Sequence, residues 1–247
     1  MSFTLSLGRF YGIDSLIEVL IILVAIVISL YSHKIYKIIK EQNYKYFSWA
    51  FLFIAVSFTF KILSNLTIYQ RIRIERINFV YTVFSQPNYM QILNFISFIL
   101  YNIFYLLGFL ILFLILTKTD KKEKIFLYMY LSIIAILFSI YFNFIFHLTL
   151  ILILVFLTMH FYENYKNHRT TNSILVYIAF LLMLISHIFM VFSDVHSLIY
   201  MISEGLMLIG FLFLLTNQIK LKKFTYNYGK KKQARSNKRY LRNTAKK

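Results

Sequence analysis

The sequence has no cysteine, a single proline, six glycines and only nine acidic residues against 27 Lys and Arg. Without cysteine there are no disulfides, no thiolate metal sites and no Cys nucleophile. So little proline and glycine excludes collagen-like and low-complexity chains. Charged residues make up 15% of the chain and hydrophobic residues 60%. Soluble domains average about 25% charged, and the mean hydropathy here is +0.68. This composition excludes a disordered chain and argues against a soluble globule. It points to an all-α, polytopic membrane protein.

A hydrocarbon core of roughly 30 Å needs about 20 apolar residues per helix. Seven segments meet that need: 13–33, 46–66, 91–117, 125–142, 146–162, 173–193 and 197–217. Only an uncharged turn around residues 143–146 separates the fourth from the fifth. A six-span reading, with a re-entrant hairpin at that point, is the alternative. The runs are continuous rather than alternating, which excludes a transmembrane β-barrel.

Lys and Arg near helix ends set orientation. The first, third and fifth loops and the tail after Asn217 hold twenty-two of the 27 basic residues. The opposite side holds Arg9, Arg71, Arg73 and Arg76. The N-terminus is therefore expected outside and the C-terminus inside. The first span is too long for a cleavable signal, and a Lys-rich stretch rather than a small-residue site follows it. Abundant Lys, Ile, Phe, Tyr and Asn suggest an AT-rich, prokaryotic genome, and hence a multi-pass protein of the cell membrane. The domain reading is a seven-helix bundle over 1–217 and a basic, disordered cytoplasmic tail over 218–247.

A constant offset of 129 aligns Tyr36-Lys37 with Tyr165-Lys166, Ala50-Phe51-Leu52 with Ala179-Phe180-Leu181, and Ser57 with Ser186. An offset of 102 places Gly108-Phe109-Leu110 on Gly210-Phe211-Leu212. Three helices, a linker helix and the same three helices in parallel orientation would produce this pattern. Chance matching in a Phe- and Leu-rich chain is the alternative.

Ionisable side chains inside a span cost at least about 2.5–3.5 kcal/mol at the centre, so each needs a reason. Glu18, Lys61, His187 and Glu204 all fall roughly 7–11 Å beneath the outer interface at 1.5 Å per residue. Asn94 and Asn102 bracket that level on the third span, and His147 caps the fifth. Helical spacing puts Asp14 and Glu18 on one face, Ser57, Lys61 and Asn65 on another, and Asn94, Ser97, Tyr101 and Tyr105 on a third. Glu18, Lys61, Asn94, Asn102, His147, His187 and Glu204 form a candidate ligand-binding layer in a pocket open to the outer side. Two bland readings stand beside it. One is interhelical pairing of Glu18 with Lys61 and of His187 with Glu204, worth about 0.6–2 kcal/mol per contact. The other is a Lys61 that snorkels to the interface.

Enzyme signatures are missing. The chain has no HExxH and no Gly-rich phosphate loop, and its six histidines do not cluster. The reading is non-enzymatic, with no metal and no cofactor. The outer loop from Tyr69 to Pro87 interleaves Arg with Ile and could lie over the pocket as a lid. In the tail, Lys230, Lys231, Lys232, Arg235, Lys238, Arg239 and Arg242 are candidates for lipid or phosphate contact. At about 1 kcal/mol per basic residue near an anionic leaflet, the tail is expected to adhere to lipid. A salt-dependent contact with nucleic acid or a ribosome is the lesser alternative.

The stretch SHKIYKIIKEQNYKYFSWAFLFIAVSFTFKIL, residues 32–63, resembles the first cytoplasmic loop and second helix of small prokaryotic seven-helix membrane regions. Some of those regions are the sensors of signalling proteins. The resemblance implies a receptor- or sensor-like input; a membrane protein of scaffold type belongs to the same reading. No kinase or cyclase output domain follows here, so it also implies signalling or anchoring through a cytoplasmic partner protein. The three-one-three arrangement also resembles small sugar transporters with PQ dipeptides, but Gln86-Pro87 lies in a loop and no span contains proline. A small-solute transporter with a 3+1+3 repeat is the alternative function.

Overall fold

The computed structural model describes residues 12–77, 88–117, 122–140, 142–193 and 196–244. Its regular structure is helical throughout: α1 (Ile13–Ile39), α2 (Gln42–Ile77), α3 (Asn88–Thr117), α4 (Lys122–Ser139), α5 (Asn143–His168), α6 (Thr171–Val191) and α7 (Ser197–Thr244). Among the described residues, six of these helices are long and apolar enough to cross a membrane, so this is a multi-pass helical membrane protein.

The remaining helix, α4, is shorter than expected. Its apolar part, Phe126–Ser139, measures about 21 Å at 1.5 Å per residue, less than a hydrocarbon core. The fourth and fifth spans were expected to part around 143–146. The break falls earlier, with a turn at Ile140 after α4 ends at Ser139, and α5 already begins at Asn143. The turn is itself apolar and has no Gly or Pro to mark it, so hydropathy runs straight through.

Two helices run past their apolar ends. α2 continues as helix to Ile77, through residues expected to open a lid loop, and the rest of that loop, 78–87, lies outside the described residues. α7 continues to Thr244, where a disordered tail was expected. A packed span has already overcome the nucleation cost, and Lys, Arg and Gln are good helix formers, so propagation is cheap. The side chains of Lys230, Lys231, Lys232, Arg235, Lys238, Arg239 and Arg242 lie outside the described residues.

The helices form a closed ring. α1 packs on α2, α2 on α3, α3 on α5, α5 on α6, α6 on α7, and α7 returns to α1. α4 sits outside the ring against α3 and α5. Its outward side chains, such as Phe126 and Leu137, are exposed, as are Leu16, Leu23 and Leu30 at seven-residue spacing on α1. In a bilayer these faces meet lipid.

Two tight elbows shape the ring. α1 ends at Lys40, in the left-handed region with φ 62°, whose N–H donates to the Tyr36 carbonyl at 2.7 Å. α5 ends at Arg169, φ 47°, whose N–H donates to the Tyr165 carbonyl at 2.8 Å. A left-handed residue just past the last turn is the usual way to satisfy an orphan carbonyl and reverse the chain. Thr170 then caps α6 by accepting from the Ser173 N–H, with the Ser173 hydroxyl returning the bond.

Two glycines sit where neighbouring helices approach closely. A Cβ on Gly108 would fall 2.6 Å from Ile54 Cγ1 and 2.9 Å from the Ala50 carbonyl oxygen. A Cβ on Gly210 would fall 2.9 Å from the Ala179 carbonyl oxygen and 3.0 Å from Met183 Cγ. Small residues allow this approach, which favours packing where lipid removes the hydrophobic drive. Reciprocal serine clamps add to it. Ser29 and Ser48 each donate to the other's carbonyl, at 2.8 and 2.9 Å, and Ser186 and Ser203 do the same at 2.9 Å. The core between the helices is aromatic, with Phe58 edge-on to Tyr105 at 5.5 Å and to Phe211 at 6.2 Å.

Candidate functional site: a buried charged layer

The centre of the polar layer is Lys61 of α2. Its ammonium lies 3.1 Å from Glu18 Oε1 on α1 and also pairs with Glu204 Oε1 on α7. Both carboxylates are fully buried and Lys61 is 9% exposed. Lys61 therefore does not snorkel; its stem is held inside by two anions at its own depth. Three rings surround the ammonium: Phe58 at 5.4 Å, Tyr200 at 5.7 Å and Tyr101 at 5.8 Å from their centroids. Ring faces attract a cation most strongly where water is excluded.

The two carboxylates are not treated alike. Glu18 receives the Asn65 amide at 2.9 Å on Oε1 and 3.2 Å on Oε2, in addition to Lys61. Glu204 receives Lys61 on Oε1, and its Oε2, buried, has no hydrogen-bond donor among the described residues.

A second chain of polar groups spans the bundle. Tyr105 Oη of α3 meets His187 Nε2 of α6 at 3.0 Å, and His187 Nδ1 meets His147 Nδ1 of α5 at 3.3 Å. Tyr105 also lies 3.5 Å from Met207 Sδ. Each contact needs one donor and one acceptor, which leaves two arrangements. Either Tyr105 donates to His187 and His187 to His147, or His147 donates to His187, His187 to Tyr105, and Tyr105 to the Met207 sulfur.

The expected pairing of Glu18 with Lys61 is present, but that of His187 with Glu204 is not. His187 turns to Tyr105 and His147, and Glu204 shares the lysine. Equal depth on neighbouring helices did not fix which faces meet. The remaining two members of the layer stand apart from the triad. Asn94 accepts from Ser64 Oγ at 2.5 Å at a half-buried site. Asn102 donates to Ser139 Oγ at 3.1 Å and so ties α4 to the ring. Sequence reasoning missed Tyr200 altogether and placed Asn65 on the Lys61 face without naming its partner, Glu18. The usable signal for both was spacing: Asn65 lies one turn from Lys61, and Tyr200 one turn from Glu204.

No protein-family model matches this chain, and no curated protein and no solved structure matches it. The functional reading therefore rests on the layer itself. Among the described residues, no three His, Asp or Glu side chains gather as a metal site. The layer offers buried charge, one unfilled carboxylate oxygen and a hydrogen-bonded Tyr–His–His chain, a set of groups suited to binding.

Proposed function

We propose that this chain is a seven-helix cell-membrane protein of receptor or sensor type, whose buried layer binds a small polar ligand from the outer side. The observation that carries the reading is Glu204 Oε2, a fully buried carboxylate oxygen without a donor among the described residues. Interhelical glue alone gains nothing from that oxygen, because burying an acceptor without a partner is costly. An ionisable group retained in a span at such cost is by default a functional one. The reading is non-enzymatic. It places the N-terminus outside, with α4 as a seventh crossing, and the basic tail on anionic lipid or a partner protein in a prokaryotic cytoplasm.

The test uses the absence of native cysteine. Glu204→Cys should react with a small polar thiol reagent added outside intact cells, and Glu204→Gln should leave the fold intact. An unreactive position 204 together with a destabilised Glu204→Gln protein would reject the pocket and leave a scaffold or anchor. Cysteines at Thr119 and Ser85 test orientation, with outside labelling expected at 85 alone.

The second reading is a small-solute transporter built on a 3+1+3 parallel repeat. Three pairs of matched features support the duplication. Lys40 and Arg169, with their Tyr36 and Tyr165 acceptors, stand 129 residues apart. So do Ala50 and Ala179, the carbonyls that Gly108 and Gly210 approach, and the residues beside them, Ile54 and Met183. The two glycines are themselves 102 apart, the offset of the third helices. Transport folds place their sites at such repeat interfaces, and here the layer draws on both halves. Uptake into vesicles reconstituted with the protein, abolished by Glu204→Gln, would favour this reading over the receptor.

A further inference from the structure

The triad of Glu18, Lys61 and Glu204 joins two carboxylates to one ammonium. If both acids are ionised, the cluster holds one excess negative charge on buried side chains. An uncompensated charge in such a place is among the costliest features a fold can carry. Among the described residues, no neighbouring group supplies the missing positive charge. From α1, Asp14 lies one turn before Glu18 and is itself an acid. From α2 comes Lys61, already counted. From α3 come Tyr101 and Tyr105, and from α7 Tyr200, which are phenols. From α6 and α5 come His187 and His147, bonded to each other and to Tyr105 rather than to the triad.

The structure assigns the balancing charge to a single exchangeable proton on Glu204 Oε2, making the layer a proton-binding site. Two observations select that atom. Both oxygens of Glu18 are engaged by donors, Lys61 and the Asn65 amide, and neither is left open. Glu204 gives Oε1 to Lys61, and Oε2 alone among the triad's four oxygens has no donor from the described residues. Both carboxylates are fully buried, and a proton needs no room. Binding forms one O–H bond on Glu204, with the proton taken from water and returned to it. The inference rests on the charge count of the triad and holds whether the layer serves a receptor or a transporter.

Infrared spectroscopy of the full-length protein in lipid nanodiscs tests it by the carbonyl stretch of a protonated carboxyl, which shifts in D2O. At neutral pH the wild-type protein should show one such band. Glu204→Gln and Glu18→Gln should each abolish it, because either leaves one carboxylate to one ammonium. Asp14→Asn should retain it. Lys61→Met should intensify it, since both acids would then need protons; the two Gln variants keep the test valid if that protein fails to fold. A wild-type spectrum without the band, in both sodium and choline buffers, would overturn the proposal. A band that appears only when choline replaces sodium would overturn the proton in favour of a bound alkali cation. A band that survives Glu204→Gln would also overturn it. Thiol accessibility at position 204 is a separate measurement, so failure of the pocket reading and failure of the proton site can be told apart.

Discussion

In α1–α3 the crossing glycine is Gly108, seated against the Ala50 carbonyl, and the polar side chains include Glu18, Lys61, Asn65 and Asn102. In α5–α7 the glycine is Gly210, against the Ala179 carbonyl, and the polar side chains are His147, His187 and Glu204. The elbows match as well, at Lys40 and at Arg169. At the positions that the offsets of 129 and 102 pair, the side chains differ: Glu18 against His147, Asn102 against Glu204, Tyr105 against Met207. Backbone approach is thus alike in the two halves while the chemistry is complementary. Lys61 of the first half needs Glu204 of the second, and Tyr105 of the first needs His187 of the second. Glu18, Lys61 and Asn65 pair within the first half and His147 with His187 within the second, but Glu204 meets Lys61 and Tyr105 meets His187 only when the ring closes.

The comparison breaks most severely at Lys61. Lys61→Met leaves Glu18 and Glu204 without their shared cation and should cost about 3–5 kcal/mol, the usual loss when one partner of a buried pair is removed. Thermal denaturation in detergent reads this, and adding Glu18→Gln should recover part of the loss. No recovery in the double variant would show that the loss does not come from an uncompensated buried carboxylate.

The glycines come next. Gly108→Ala and Gly210→Ala should each cost about 1–3 kcal/mol, because the added methyl meets a backbone oxygen that cannot swing away. Similar losses in melting experiments sharpen the likeness of the halves, and a loss at only one position breaks it.

The serine clamps should matter less. Ser48→Ala and Ser186→Ala each remove one reciprocal bond and should cost about 0.6–1.7 kcal/mol. Equal small shifts in melting temperature are expected.

The smallest effect should have the opposite sign. Nothing lies within 4 Å of a Cβ built on Gly205, so Gly205→Ala should be neutral or gain up to about 1 kcal/mol from helix propensity. A large loss there would mean that this face of α7 is covered by something else.

By itself the sequence determined the class of the protein and the identity of its helices. Runs of about 20 apolar residues are readable because lipid forces backbone groups to be satisfied within each segment. The buried ionisable residues were readable for the same reason, since their cost makes Glu18, Lys61, His187 and Glu204 conspicuous. The short α4 and its apolar turn were not readable, because hydropathy does not register a turn made of Phe and Ile. The length of α7 was not readable either, since composition alone favoured disorder. Only the tertiary structure decided partnership. Periodicity gives the face of a helix but not the neighbour it meets, and ring closure of α7 on α1 brought Glu204 to Lys61 and left His187 to Tyr105 and His147. Which of two carboxylates keeps an empty oxygen depends on side-chain positions a few ångströms apart, and those are fixed by packing across the whole bundle.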